Sequence, residues 1–375
     1  MHEGRIRFWT HTAPRALIAA VLVGWLITVL TSSGTSTLTG RLGGDFPAFY
    51  GAGSIVLSGD VDELYDFDRQ RFEQREIFDS GFLAFAYPSY VAAAYVPLAA
   101  LEFRVAYVLH TLLSLAAIAA SVLLARRFSA TADRYPWLVA AAAILSYPLL
   151  RAYLGGQNTA FGLLVIVTAW LLLDRDRDLG AGLVLSLLAY KPQFLLPIAG
   201  VIVLGSRWRT VTGGAAGLLA HYVAGTLLSG WRWPVEWWSE AVRFSNIDQV
   251  VNGPRSIAWR GLTDLLGFES LWIPVAGATV VWVAAIAWQH ARRDLIGVLA
   301  MTLPAMLLMA PHAMFYDAGL ALPTLLLLAD RDRVRSSTLL WAGGWSHLAA
   351  ERLGASPLIG VTLLTGLAAQ RSLLR

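Results

Sequence analysis

Apolar runs of membrane-crossing length recur along this chain from residue 15 to residue 370. A helix needs about 20 predominantly apolar residues to span the hydrocarbon core of a bilayer, so the pattern predicts roughly ten to twelve transmembrane helices. An ordinary soluble core cannot absorb them, because 57% of the 375 residues are hydrophobic and only 14% are charged. The expected fold class is an all-α integral membrane bundle, a single membrane-embedded unit over 1–375 with no soluble domain at either end. The formal charge of +4 does not point to nucleic acid. The arginines stand in short clusters between apolar runs, where they orient helices. Cysteine is absent, which removes disulfides and thiolate metal sites. The first apolar run, 15–33, continues into TSSGTSTLTG without a small-residue cleavage site, so it reads as the first span and not as a removed leader.

Arg5, Arg7 and Arg15 around the start of that run place the N-terminus in the cytoplasm. The segment 34–104 then begins outside and is too rich in charge to be lipid-embedded throughout. Two short helices are predicted in this first outer loop. One follows Asp45 as N-cap with Pro47 just inside and ends near Ser58 and Gly59; the other runs from Asp68, as its own cap, to about Phe78. The apolar stretch Pro88 to Leu101 is short for a span and reads as interfacial or re-entrant. Spans then follow at 105–125, 136–150, 157–173, 180–190, 194–204 and 209–229. A second large outer loop, 231–270, precedes spans at 271–289, 295–310, 314–329, 337–350 and 357–370. In this arrangement the groups ARR, DRDRD, SRWR, ARRD, DRDRVR and the C-terminal arginines all fall on the cytoplasmic side, and both termini are cytoplasmic. The weak point is 180–204, whose halves are short.

Unusual polar residues then gather at the outer ends of the helices: Asp45 in GGDFPAFY, Tyr87 in AYPSY, Arg151, Gln157 and Asn158 in RAYLGGQN, Lys191 and Gln193 in YKPQ, and His312, Tyr316 and Asp317 in PHAMFYD. Ionisable groups at membrane depth cost several kcal/mol unless they face water, a partner or a ligand, so they are expected to share one outward-facing cavity. Lys191 is the only lysine among 29 basic residues. A compact ammonium there suits a phosphate, although a lysine at a helix end also snorkels. Asp45 reads either as a base or as a plain N-cap. His312 reads as a phosphate contact, a proton carrier or a hydrogen-bonded helix-end histidine. It lies five residues from Asp317, off a shared helix face, and no second histidine is near, so no metal site is expected. Gln157 and Asn158 also read as caps, and Arg151 as an interfacial anchor. The tryptophans of 231–270 suit either an anchoring belt or a sugar-stacking platform with Arg255 or Arg260 supplying charge.

The succession GGDFPAFYGAGSIVLSGDVDELYD, AYPSY, GGQN, AYKPQ and PHAMFYD, in that order over residues 34–330, resembles glycosyltransferase family 87 of the GT-C superfamily. The resemblance implies a GT-C bundle with juxtamembrane helices after an aspartate in the first outer loop. It also implies transfer of a sugar, mannose foremost, from a polyprenyl phosphate donor to an extracytoplasmic glycolipid or polysaccharide at the inner or plasma membrane. Asp45 would match the aspartate, Lys191 the lysine of the KP motif, and His312 a histidine near the donor phosphate, with Arg260 a further phosphate contact. Tyr87, Arg151, Gln157, Asn158, Gln193, Tyr316 and Asp317 would bind substrate. Where some relatives carry a second acidic motif this chain has the neutral GGQN, and no cofactor is expected. Partners are the donor, the acceptor and membrane lipids. The rival readings are a lipid-linked sugar transporter or flippase, which also collects polar residues inside a bundle, and a non-catalytic envelope assembly protein.

Overall fold

The computed structural model describes residues 7–32, 36–37, 40–77, 82–331, 334–355, 363 and 374. The chain is an all-α polytopic membrane protein. Four helices among the described residues are long and apolar enough to cross a bilayer: α1 (Ala13–Thr31, extended back to Phe8 by a π-turn), α5 (Phe103–Ala125), α12 (Trp208–Ser229) and α15 (Trp272–His290). A fifth span forms if α7 (Pro136–Ile144) and α8 (Tyr147–Leu154) are taken together, bent by 63°. The bend has a covalent cause. Pro148 sits in the first turn of α8, where its ring cannot continue the preceding helix.

Six shorter apolar helices of 10–17 residues fill the rest of the bundle. They include α2 (Phe46–Ser58), α4 (Ser89–Ala99), α9 (Thr159–Asp174) and α16 (Leu295–Met309). The other two are α10 (Asp178–Ser186), continued by a 3-10 turn to Tyr190, and α11 (Pro192–Leu204). The break expected within 180–204 therefore exists, and its halves are separate elements joined at Lys191. The expected final span, 357–370, lies outside the described residues apart from Leu363, which is buried.

Helix α1 is only 11% buried over its apolar window, whereas α9 and α16 are buried along most of their length. Lipid-facing helices at the rim and apolar helices at the centre are what a bilayer solvent requires, since lipid tails give no hydrophobic drive for helices to pair. Small residues bring them together instead. Gly213 and Gly217 of α12 lie against Leu179 and Ser186 of α10, and Gly53 of α2 against the Tyr95 carbonyl of α4 at 2.9 Å from where a Cβ would stand.

The segment that follows α1 departs from expectation in detail. A two-residue antiparallel pair, Ser36–Thr37 with Gly40–Arg41, precedes α2. The second short helix, α3, spans Phe67–Glu73, and its cap is Asp66, whose carboxylate accepts from the Arg69 amide at 2.8 Å. Asp68 falls inside the first turn, where it pairs with Arg71. Phe78, the expected end, lies outside the described residues. The segment 231–270 is largely helical: α13 (Trp233–Asn252), α14 (Trp259–Leu265) and two 3-10 turns. Short helices α6 (Ala130–Arg134), α17 (Leu322–Asp330), α18 (Val334–Trp345) and α19 (His347–Arg352) complete the described chain.

Candidate active site

A cavity of about 740 Å³ is walled by the start of α2, residues 83–87, the end of α8, the Lys191 junction, the inner face of α13 and residues 311–316. Of the residues singled out by sequence, Asp45, Tyr87, Arg151, Gln157, Lys191, Gln193, His312 and Tyr316 line it. Five motifs scattered over some 270 residues of chain thus meet in one space.

Backbone geometry places Asp45. Gly43 and Gly44 are left-handed, φ +83° and +54°, and turn the chain so that the Asp45 amide donates to the Gly155 carbonyl at 2.9 Å. A Cβ on Gly44 would stand 2.7 Å from the Gly155 Cα, and one on Gly156, also left-handed, would collide with Phe46. Glycine is needed at both positions for backbones to approach this closely. Asp45 occupies the N-cap position of α2, but its side chain makes no capping hydrogen bond. The carboxylate accepts instead from the Gln157 amide nitrogen.

Asn158 does not cap α9 with its side chain either. It is buried behind the cavity wall, where its side-chain oxygen accepts from the Tyr95 hydroxyl, which also lies 3.3 Å from His110 Nε2.

Lys191 lies between the 3-10 turn and α11 because Pro192 pushes the residue before it out of helical geometry; its φ and ψ are −129° and 76°. Its ammonium meets Asp317 Oδ1 at 2.8 Å, with side chains only 9% and 2% exposed. Asp317 is therefore not at the cavity surface. Its other oxygen accepts from the Met314 amide at 3.0 Å and fixes the turn that carries Phe315 and Tyr316.

His312 does not pair with Asp317. Its Nδ1 lies 2.9 Å from Oδ2 of Asp248 on α13, and Asn252 donates to the other Asp248 oxygen at 2.7 Å. Burial pushes the Asp248 carboxyl up, but the hydrogen bond and charge of His312, with Asn252, outweigh it and hold the carboxyl below its ordinary range. Tyr87 is pushed above its ordinary value by burial, reinforced by the charges of Asp317, Asp45 and Asp248.

Arg151 is exposed to the cavity, donates to the Tyr147 hydroxyl at 2.8 Å and lies over the Phe315 ring at 5.2 Å. Arg260 is not brought to the cavity. The Trp259 indole anchors α14 to Thr279 of α15 at 2.9 Å, and Arg260 faces Trp272 with its guanidinium 5.3 Å from the ring. The arginine that segment 231–270 does bring to the cavity is Arg255, in the 3-10 turn that follows α13.

Sequence reasoning missed Asp248 and Asn252; of the tryptophans it singled out in 231–270, Trp237 and Trp238 line the cavity. Nothing local marks Asp248; its meaning arises only from a partner on a distant segment. Trp237 closes the wall, its indole donating to the Ala86 carbonyl at 3.2 Å. Among the described residues no three histidine, aspartate or glutamate side chains are grouped as a metal would need.

The family model described as glycosyltransferase family 87 matches residues 85–311, more than half of the chain. No curated protein and no solved structure matches it. The matched segment carries the walls from Ala86 to Pro311, whereas the Asp45 turn with the start of α2, Leu83 and Ala84, and His312 to Tyr316 lie outside it.

Proposed function

The chain belongs to glycosyltransferase family 87 and is a membrane-embedded glycosyltransferase; from that premise we propose that it moves a sugar, mannose foremost, from a polyprenyl phosphate to an extracytoplasmic glycolipid or polysaccharide. The cavity faces the exterior of the inner or plasma membrane, and both termini are cytoplasmic. The observation that carries this reading is the presence in one cavity of a carboxylate at Asp45, the cations Lys191, Arg151 and Arg255, and an apolar flank that includes Leu196 and Val242. Leu196 is 67% exposed on the outside of α11, so the apolar flank reaches the surface where a lipid tail would lie.

The reaction is a single inverting displacement. Asp45 accepts the proton of the acceptor hydroxyl as that oxygen bonds to the anomeric carbon, and the bond from that carbon to the phosphate oxygen breaks with its electron pair leaving on the phosphate. The Gln157 amide holds the Asp45 carboxylate in place. Lys191, His312 and Arg255, which line the same cavity, stabilise the charge that develops on the departing polyprenyl phosphate. The ammonium and guanidinium groups supply that positive charge without a metal.

The test is transfer by the purified protein in lipid nanodiscs, using radiolabelled mannosyl, arabinosyl and glucosyl polyprenyl phosphates with a glycolipid acceptor. Acceptor-dependent release of free polyprenyl phosphate is expected from wild type and not from Asp45→Asn. A flippase or an assembly partner releases none, and undiminished transfer by the variant rules Asp45 out as the base.

A further inference from the structure

The charges gathered at the cavity cancel. Three carboxylates, Asp45, Asp248 and Asp317, stand against three basic side chains, Lys191, Arg151 and Arg255; Asp317 contributes from just behind the wall through its contact with Lys191. The imidazole on the cavity wall is His312. It is 34% exposed and lines the cavity, and its Nδ1 is taken by Asp248. That contact leaves Nε2 as the ring atom free to serve the cavity. With Nδ1–H donated to Asp248, Nε2 of the neutral ring carries a lone pair and repels an anionic oxygen. It becomes a donor only when the ring holds a second proton.

We propose that binding of a lipid phosphodiester draws one proton from solvent onto His312 Nε2, and that Asp248, clamped by Asn252, is the positioning residue that makes this possible. The inference rests on the donor assignment above and goes beyond it. An anion entering a neutral cavity supplies the field that favours the added proton, and Asp248 keeps the resulting imidazolium paired on its far side. The proton comes from bulk water and ends between the ring and a phosphate oxygen; no bond to carbon is made or broken. In turnover this sets a donor beside the oxygen that leaves, while the proton of the acceptor hydroxyl goes separately to Asp45.

The other titratable side chains that face the same space are Tyr87, Tyr190 and Tyr316, which stay neutral near pH 7. Glu240 and Arg243 on α13 pair with each other, Arg243 lying over Phe67 of α3, and neither lines the cavity.

The experiment is calorimetric titration of the nanodisc-embedded protein with a prenyl methyl phosphodiester. This probe keeps one negative charge throughout, so any proton exchanged belongs to the protein. Binding heats in buffers of different ionisation enthalpy give the number of protons taken up. Wild type is expected to take up as much as one proton per bound diester, and its affinity to fall by up to about tenfold per pH unit on the alkaline side. His312→Gln should bind without proton exchange and with a flat pH profile. Asp248→Asn should also lose most of the uptake, because removing one carboxylate leaves the cavity with an excess cation before any ligand arrives. If wild type binds the diester with no proton exchange between about pH 5.5 and 8, or if His312→Gln keeps wild-type uptake, the inference fails while the donor assignment stands. If wild type does not bind the diester at all, both fail.

Discussion

The carboxylate of Asp45 is held by the side-chain amide of Gln157 and leaves the helix it precedes uncapped. A capping aspartate normally contributes about 1 kcal/mol to its helix. Here that contribution is forgone, and the carboxylate is turned toward a residue 112 positions away.

Asp45→Asn is accordingly expected to leave folding and donor binding near wild type and to lower turnover about 10²–10⁴-fold, the usual contribution of a positioned base. Gln157→Leu should lower turnover as well but by less, with the loss in kcat and not in KM. Initial-rate kinetics over a range of acceptor concentrations distinguish the two variants.

Gly44→Ala and Gly156→Ala test the backbone approach that aims Asp45. Both glycines have positive φ, and an added Cβ meets Gly155 or Phe46. Each variant should inactivate the enzyme while circular dichroism of the helical bundle stays unchanged, because only the turn moves. Activity at wild-type level in Gly44→Ala would show that the contact is dispensable.

Breaking the Lys191–Asp317 pair from one side leaves a buried charge without its partner. Lys191→Met should cost about 3–5 kcal/mol of stability, read as a fall in melting temperature in detergent. The double variant Lys191→Met, Asp317→Leu should recover much of that stability and none of the activity. Recovery of both would mean that the pair serves packing alone.

The Asp248–His312 contact makes α13 acid-sensitive. The Asp248 carboxyl is held below its ordinary range in the fold, so its stabilising contribution is present above the unfolded value, about 3.9, and is lost as pH falls through the lower folded value. Hydrogen exchange along 233–252 should accelerate below about pH 4 before the rest of the bundle responds. In Asp248→Asn that acid-dependent step should vanish.

Much of this arrangement was legible from sequence, because polar residues stranded in apolar sequence have few physical excuses. Lys191 before Pro192 and the GGD turn before Phe46 both stood out for that reason, and both line the cavity. What stayed hidden depended on distant partners. Asp248 is ordinary within RFSNIDQVVN and acquires a role only from His312; Asp317 looked like a ligand contact until Lys191 was seen beside it. Arg255 and Arg260 are alike in sequence, and only the anchoring of Trp259 on Thr279 separates them. The 231–270 segment reads as a loop from its tryptophans and arginines, whereas it is largely helical, with α13 exposed or half-buried over most of its length.

The wall formed by α13 is fastened by hydrogen bonds and by rings. Trp237 donates to the Ala86 carbonyl and Ser229 of α12 to the Ser89 hydroxyl of α4, while Tyr90 of α4 stacks on His221 of α12 and meets Trp233 of α13 edge-on, and Arg243 lies over Phe67 of α3. Each such hydrogen bond is worth about 1 kcal/mol net. Loosening this side of the cavity therefore requires parting stacked rings as well as breaking hydrogen bonds.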